Sequence, residues 1–379
     1  MARDPESALR IAFYAPFKPL DHPSPSGDRT IGRGVVSFLR ERGHDLQTVS
    51  SFRTRWIFNK PWLWPSALLE RRRAQAEARA MRAEAWLTYH AYYKAPDLLG
   101  PACSRALGVP YAIFQGVYST KVRKKLMTRA GFELNKASLL AAGRIFTNKL
   151  RDLENLRRLI PEDRLTYVAP GIRPDDFVFS GKARRNLRET WRVNKRPVIM
   201  TAAMFRDDVK TRGLCYLIER LGELARQDKR FVLVVAGDGE MRGALQALAA
   251  RELPGRTIFL GLVPRDELRF FYSASDVFVF PGINESLGMV YLEAQAVGLP
   301  VVAFDNDGLP EVTARGETAF LTPPFDDEAF KEAIVRLLDD KPLRRAMGEK
   351  AERRVRERHD LDKNYGIMEE RLLELAKTR

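Results

Sequence analysis

Two carboxylates flank a glycine in the stretch NESLGMVYLE, residues 284–293, which follows the apolar run DVFVFPGI. The apolar run predicts a buried strand, and the next residues predict a loop and then a helix that begins between Ser286 and Gly288. The first turn of such a helix carries unpaired backbone N–H groups and the positive end of the helix dipole, both of which favour phosphate. Because Gly288 has no Cβ, a phosphate could approach the backbone closely there.

Glu285 lies before this helix, and Glu293 lies about two turns into it. Carboxylates accept hydrogen bonds from hydroxyl groups and repel phosphate, so the pair suits sugar rings on either side of a diphosphate. The alternative from spacing alone is that Glu285 is a charge at the helix N-terminus and Glu293 lies on a solvated face.

Cationic side chains follow another predicted strand, residues 197–201. Arg206, Lys210 and Arg212 occupy the loop and the start of the next helix, where they could neutralise a diphosphate. A cluster of surface charges is the alternative interpretation.

Glycines follow two further predicted strands. Gly237 and Gly239 in AGDGE indicate a tight turn near a ligand, and Gly308 in DNDGLPE would bring backbone amides to the same edge of the sheet. Ordinary turns are the alternative for both segments, and turns like AGDGE are common in proteins.

These segments belong to a repeated alternation of strand and helix, which predicts two doubly wound parallel sheets, each with its own core. We predict an N-terminal Rossmann-like domain over 1–170, a linker over 171–185 and a second Rossmann-like domain over 186–355. A terminal helical segment, residues 356–379, could pack back on the N-terminal domain.

The composition, 45% hydrophobic and 30% charged over 379 residues, predicts a globular chain. The polar opening and the absence of an apolar run of about 18 residues predict a cytoplasmic protein. Four histidines without ligand spacing and two distant cysteines predict no protein-built metal site and no disulfide framework.

The basic charge is concentrated in one region, because residues 51–150 contain 18 Lys and Arg against 5 Asp and Glu. Four of the five tryptophans lie there as well, namely Trp56, Trp62, Trp64 and Trp86. Arginine with tryptophan is typical of a surface that binds anionic lipid headgroups, and we assign it to residues 51–130. A partly packed surface is the alternative, and without a nucleic-acid-binding motif we predict no nucleic-acid partner.

Several ordered motifs resemble one family, the retaining glycosyltransferases of the GT-B fold, group 1, also called family 4. The resemblance runs through FRDDVKTRG, VVAGDGE, FLGLVPRDEL, SDVFVFPGINESLGMVYLEAQAVGLPVVAFDNDGLPEV and GETAFLTPPFDDEAF, and extends to the N-terminal SGDRTIGRGVVSFLRERGHDL. It implies two Rossmann-like domains facing a central cleft, with the acceptor bound by the first domain and the nucleotide sugar by the second.

The resemblance also implies residue roles. Glu285 would contact the donor sugar, Glu293 would hold the ribose hydroxyls, and Arg206 with a following cation would clamp the diphosphate. Backbone groups would complete the donor site. Those of Leu262 and Val263 would lie near the nucleotide base, and the others belong to Leu287, Gly288, Gly308 and Leu309.

The chain departs from the family pattern in three places. Arg212 stands before Gly213 where lysine is usual, so that Lys210 or Arg212 could take that role. Gln115 and Gly116 stand where relatives carry a histidine, and NDG replaces paired glycines at 306–308.

On the acceptor side, His90 and Gly27 could reach the cleft, while a structural histidine and an ordinary loop are the alternatives.

We therefore expect a hexosyltransferase-type enzyme that acts with retention on a nucleotide-diphosphate sugar and needs no metal. The expected acceptor is a lipid-linked or lipopolysaccharide-type glycan, reached from the cytoplasm by peripheral attachment to the inner face of the membrane. A small soluble acceptor, or a non-catalytic module that binds a sugar nucleotide or a membrane, is the alternative.

Overall fold

The computed structural model describes residues 8–21, 27–124, 126–193, 195–306 and 308–377. The chain forms two compact units, the first made of residues 1–169 and 362–379 and the second of residues 170–361. Among the residues that the structure describes, no helix combines the length and the apolar character needed to cross a membrane.

The first unit is built on a parallel sheet of six strands in the order β2-β1-β3-β4-β5-β6. Its strands are β1 (Arg10–Tyr14), β2 (Asp45–Ser50), β3 (Ala85–Ala91), β4 (Tyr111–Gly116), β5 (Arg144–Thr147) and β6 (Leu165–Tyr167). Its helices are α1 (Gly27–Glu41), α2 (Trp64–Ala80), α3 (Gly100–Leu107), α4 (Leu126–Ala141) and α5 (Leu150–Leu156). The central strands are buried on both faces, as their nearly continuous apolar sequences require.

The second unit has a parallel sheet of six strands in the order β12-β11-β10-β7-β8-β9. Its strands are β7 (Val198–Ala202), β8 (Val232–Ala236), β9 (Thr257–Gly261), β10 (Val277–Val279), β11 (Val301–Phe304) and β12 (Ala319–Thr322). Its helices are α6 (Gly181–Thr190), α7 (Val209–Arg226), α8 (Arg242–Glu252), α9 (Leu268–Ala274), α10 (Met289–Ala296), α11 (Leu309–Val312), α12 (Asp327–Asp339) and α13 (Lys341–Arg358).

Residues 171–185, predicted as a linker, belong to the second unit in the structure. Phe177 is buried in the core of that unit, and α6 begins at Gly181. Arg184 and Arg188 of α6 then form ion pairs with Asp276, just before β10, at 2.6 and 3.0 Å. The segment is therefore packed and paired, although its proline and glycines are typical of a linker.

The last helix, α14 (Leu361–Lys377), follows α13 after a short break, and its residues from Asp362 onward belong to the first unit. Tyr365 packs edge-on against the rings of Phe38 and Phe114, at 5.8 and 5.9 Å between centroids. The predicted C-terminal segment, residues 356–379, thus contains the end of α13 and the whole of α14.

Candidate functional site

The carboxyl edge of the second sheet brings together the loops that the sequence singles out. The strand order reverses between β7 and β10, so that the loops after these two strands leave the sheet side by side. Open parallel sheets bind ligands at such a point, beyond the carboxyl ends of the strands. Residues 203–208 and 280–288 form these loops.

Lys210 and Glu285 meet at this edge. The Asp208 carboxylate caps α7 by accepting a hydrogen bond from the backbone N–H of Lys210 at 2.7 Å. The Lys210 Nζ atom contacts the Glu285 carboxylate directly and lies 5.6 Å from the centroid of the Phe280 ring. A cation and a carboxylate from opposite sides of the strand reversal are therefore adjacent.

The environment of Lys210 perturbs its titration. Burial lowers the pKa of Lys210 to about 8, Asp208 raises it and Arg206 lowers it further. The Glu285 carboxylate in contact with Nζ favours the charged form of the lysine. Lys210 is therefore mostly charged at neutral pH, and it loses this charge at modestly alkaline pH.

The other two candidate cations have different surroundings. Arg206 is half-buried in the loop after β7, while Arg212 is exposed on α7. In the part of the chain that the structure describes, the Arg212 side chain forms no ion pair and no hydrogen bond. Lys210 and Arg212 are the two candidates for the second cation of the diphosphate clamp. Of these two, Lys210 is the one that contacts Glu285.

The loop before α10 is held by glycines. Gly288 precedes the helix with φ of +64°, a conformation that disfavours residues with a Cβ. A Cβ on Gly308 would lie 1.8 Å from the carbonyl oxygen of Ser286, so glycine is required for this close approach. The N–H groups of Ser286, Leu287 and Gly288 donate to no group among the described residues.

Two donor-site candidates, Gly308 and Leu309, follow β11. Leu309 is fully buried at the start of α11. Asp307, the middle residue of the NDG departure, lies outside the described residues.

The AGDGE turn packs on the loop after β7. A Cβ on Gly237 would lie 1.8 Å from the carbonyl oxygen of Ala203, and one on Gly239 would lie 2.4 Å from that of Phe205. Both glycines have φ between +145° and +151°. They let two loops at the same edge approach more closely than any side chain would allow.

Glu293 is not on a solvated face, which was the alternative from spacing alone. Its side chain is 4% exposed, and its carboxylate accepts a hydrogen bond from Arg265 Nε at 2.7 Å and one from the Tyr272 hydroxyl at 3.4 Å. Burial raises the pKa of Glu293, although Arg265 and Tyr272 act in the opposite direction. A ribose contact at Glu293 stays a prediction.

Sequence reasoning assigned no role to Arg265 or Tyr272. Arg265 lies in the motif VPRDEL, but no local pattern indicates that it reaches a glutamate 28 positions later. Leu262 and Val263 follow β9 in the same loop; Leu262 is 64% exposed and Val263 is half-buried. A contact between these residues and a nucleotide base stays a prediction.

The acceptor-side candidates gather at the carboxyl edge of the first sheet. His90 and Gln115 stand near the ends of the paired strands β3 and β4. Gly27 begins α1, where a Cβ would meet nothing within 4 Å, whereas one on Gly116 would lie 2.7 Å from the Ile145 side chain. Gly116 is thus required by packing, and Gly27 is at an open position.

The tryptophans of the basic region have three different environments. Trp86 is completely buried in β3, and Trp56 is half-buried, with Lys94 Nζ 5.5 Å from its ring centroid. Trp62 and Trp64 are 68% and 37% exposed. The interfacial interpretation is therefore wrong for Trp86, whose ring belongs to the core, and rests on Trp62 and Trp64.

Residues 184–354 match the family model described as glycosyl transferases group 1. The chain belongs to this family. The matched range contains the Lys210–Glu285 contact, the glycine turns and the Arg265–Glu293 pair.

Similar proteins extend this result. Over 259 residues, the group 1 glycosyltransferase is 30% identical to the alpha-D-kanosaminyltransferase of Streptomyces kanamyceticus, covering 65% of this chain and 66% of that protein. It is 33% identical over 196 residues to the GDP-mannose-dependent alpha-(1-6)-phosphatidylinositol monomannoside mannosyltransferase of Mycolicibacterium smegmatis, covering 50% of each chain. The chain thus spans between half and two thirds of the length of these curated relatives.

A solved structure shares the fold. The Anabaena protein HepE in complex with UDP superposes with a TM-score of 0.76 at 16% identity, covering 96% of this chain and 99% of that one. The predicted fold class, two Rossmann-like parallel-sheet domains of the GT-B type, is confirmed for this group 1 glycosyltransferase.

Proposed function

We propose that the chain is a hexosyltransferase that moves a sugar from a nucleotide-diphosphate donor to an acceptor and retains the anomeric configuration. The observation that carries the proposal is the contact between Lys210 and Glu285 where the strand order reverses. A cation suits a diphosphate, and a carboxylate suits the hydroxyl groups of the attached sugar. Glycines around them leave backbone N–H groups open to the same ligand.

The relatives support a nucleotide-sugar donor. One is named as a GDP-mannose-dependent mannosyltransferase and another as a kanosaminyltransferase, and the Anabaena structure of the same fold contains UDP. The matched family region includes the whole strand reversal of the second unit. We therefore assign nucleotide-sugar binding to the second unit.

The proposed chemistry rests on positioning and charge. The bond from the anomeric carbon to phosphate breaks, the acceptor oxygen bonds to that carbon, and the leaving diphosphate takes the acceptor proton. Arg206 and Lys210 would stabilise the negative charge that develops on the diphosphate. Because side-chain cations serve this role, we propose that no metal is needed, and EDTA should leave the transfer rate unchanged.

A thermal-shift screen against UDP-, GDP- and ADP-sugars tests the donor assignment. A ligand present at about 100 times its dissociation constant stabilises the folded state by about 2.7 kcal/mol, so a true donor should raise the melting temperature clearly. Glu285→Ala should then abolish transfer or donor hydrolysis while the protein stays folded. No shift with any nucleotide sugar would contradict the proposal. A wild type that binds a nucleotide sugar but neither transfers nor hydrolyses it would favour a non-catalytic module, and an activity unchanged in Glu285→Ala would contradict the role of Glu285.

We propose that the acceptor lies at a membrane surface, because exposed apolar side chains and cations are adjacent on α2. Trp62 precedes this helix and is 68% exposed, while Leu68 and Leu69 are each 51% exposed. The small residues Ala67, Ala74 and Ala78 form the buried side of α2. Arginines 71–73 follow directly, and 18 cations against 5 carboxylates over residues 51–150 favour anionic lipid.

Sedimentation with vesicles of phosphatidylcholine and phosphatidylglycerol at low salt tests this surface. Trp62→Ser with Leu68→Ser should weaken vesicle binding about tenfold or more, because two large apolar side chains leave the interface. Ile367→Ser on α14 is the matched control, since Ile367 is 43% exposed but lies outside the basic region. If the wild type does not bind these vesicles, a small soluble acceptor is favoured instead.

A further inference from the structure

A histidine and an aspartate form a short hydrogen bond at the carboxyl edge of the first sheet. His90 Nδ1 lies 2.5 Å from Asp28 Oδ1, and the hydroxyl of Tyr89 donates to the same oxygen at 3.2 Å. Asp28 stands in the first turn of α1, which follows β1, and His90 stands in β3. The strand order of this sheet reverses between β1 and β3, so the pair occupies the ligand-binding position of the fold.

The pair fixes which nitrogen of His90 is available. Burial raises the pKa of Asp28, but the charge and hydrogen bond of His90, with the Tyr89 hydroxyl and Lys18, hold it below its usual value. The carboxylate is thus ionised and can only accept hydrogen bonds, so Nδ1 of His90 carries the hydrogen. In the neutral imidazole, Nε2 then presents a lone pair, and among the described residues no group donates to it.

The backbone around this nitrogen is strained. His90 and Gln115 both have positive φ, +58° and +60°, and stand side by side where β3 and β4 end. Residues other than glycine adopt this conformation rarely, and clusters of such residues mark functional sites. The Gln115 side chain is 8% exposed, and its Oε1 is buried without a hydrogen-bond partner. His90 thus has an unpartnered Nε2, and the neighbouring Gln115 carries a buried oxygen without a partner.

We propose that His90 Nε2 accepts a hydrogen bond from a hydroxyl group of the sugar acceptor, and that Asp28 is the positioning residue that keeps Nε2 free. The ligand class is a neutral polyol or glycoside, since the site offers acceptors to hydroxyl hydrogens. The Phe17 and Tyr92 rings lie 5.1 and 5.0 Å from the His90 ring and provide apolar walls of the kind that sugar rings pack on. This inference rests on the proposed function and names the acceptor side of it.

His44 provides a matched control in the same unit. It also pairs with a carboxylate, Glu369, at 3.2 Å, but its Nδ1 accepts a hydrogen bond from the backbone N–H of Leu9 at 3.0 Å. Both of its ring nitrogens are therefore engaged. His44 also precedes β2, at the opposite edge of the sheet.

Nitrogen NMR of the histidine rings in the full chain tests the inference, with methyl β-D-glucopyranoside as the probe. We expect His90 to be protonated at Nδ1, the glycoside to shift its Nε2 resonance, and Asp28→Asn to change the tautomer. His90→Gln and Asp28→Asn should each raise the dissociation constant of the glycoside about tenfold, whereas His44→Gln should change only the melting temperature.

Three results would overturn it. They are a His90 resonance that the glycoside does not move, an Asp28→Asn protein with the wild-type tautomer, and a loss of affinity in His44→Gln equal to that in His90→Gln. The thermal shift caused by UDP or GDP in the wild type reports on the proposed donor site separately. A protein that binds the glycoside at His90 but binds no nucleotide would refute the proposed function and retain this inference.

Discussion

Lys210 and Arg212 lie two positions apart in sequence but have different surroundings. Lys210 points across the strand reversal to Glu285, whereas Arg212 is exposed on α7. An α-helix advances by about 100° per residue, so positions i and i+2 point to nearly opposite sides. The two candidates for the diphosphate clamp can therefore be separated by mutation.

Lys210→Ala should lower kcat/KM for the nucleotide sugar by about a hundredfold, because it removes a charge-assisted contact from a partly buried site. Arg212→Ala, the matched control on the same helix, should lower it by no more than about threefold. Steady-state kinetics with the donor identified by the thermal-shift screen gives both numbers. A larger loss in Arg212→Ala would assign the clamp to the arginine.

The titration of Lys210 predicts an alkaline loss of donor affinity. The pKa of Lys210 is about 8, so the side chain loses its charge as pH rises through that value. A diphosphate binds the charged form, so above pH 8 binding must take up a proton, and affinity falls by up to about tenfold per pH unit. Calorimetric titration with UDP between about pH 7 and 10 measures this slope.

Lys210→Arg is the control for the pH dependence, because arginine stays charged throughout this range. The UDP affinity of Lys210→Arg should stay constant over the pH range in which the affinity of the wild type declines. An equal decline in both proteins would assign the pH dependence to another group.

At the scale of elements, tertiary contacts override local preference in α4. Gly131 and Asn135 inside α4 are weak helix formers. A Cβ on Gly131 would lie 2.2 Å from the Phe58 ring, and Asn135 donates to the carbonyl oxygen of Val117 at 2.8 Å. Packing and a hydrogen bond with distant segments therefore stabilise a helix that contains two weak helix formers.

Glycine at the end of β8 is a second element-scale requirement. Gly237→Ala should lower the free energy of unfolding by about 2–4 kcal/mol, because the new Cβ meets the Ala203 carbonyl oxygen in a conformation that alanine disfavours. Gly243 lies a few residues later in α8, where a Cβ would meet nothing within 4 Å. Gly243→Ala should therefore raise the free energy of unfolding by about 0.5–1 kcal/mol. Urea unfolding of both variants measures the difference, and equal stabilities would contradict the close packing of the two loops.

At the scale of the whole molecule, the first unit is discontinuous in sequence. Its last helix, α14, follows the second unit in the chain. Glu369 on α14 is buried between Arg42 and His44, with distances of 3.1 and 3.2 Å. These partners precede it by more than 300 positions. The stability of the first unit therefore depends on the last residues of the chain.

Glu369→Gln should lower the free energy of unfolding by about 1–3 kcal/mol, because two hydrogen bonds to a buried carboxylate are weakened. Glu370→Gln, one position later and exposed, should change it by less than about 0.5 kcal/mol. Differential scanning calorimetry on the full chain compares them. Identical transitions would show that the buried carboxylate does not stabilise the first unit.

The two parallel α/β units, the strand ends that carry the candidate residues and the glycines at those ends can be predicted from the amino-acid sequence. Local periodicity and turn chemistry encode these features, and short connections bring the strand ends to one edge. Three contacts, by contrast, are visible only in the folded chain: Lys210 with Glu285, Arg265 with Glu293, and Asp28 with His90. These pairs join residues 75, 28 and 62 positions apart, and contacts at such separations depend on how whole elements pack.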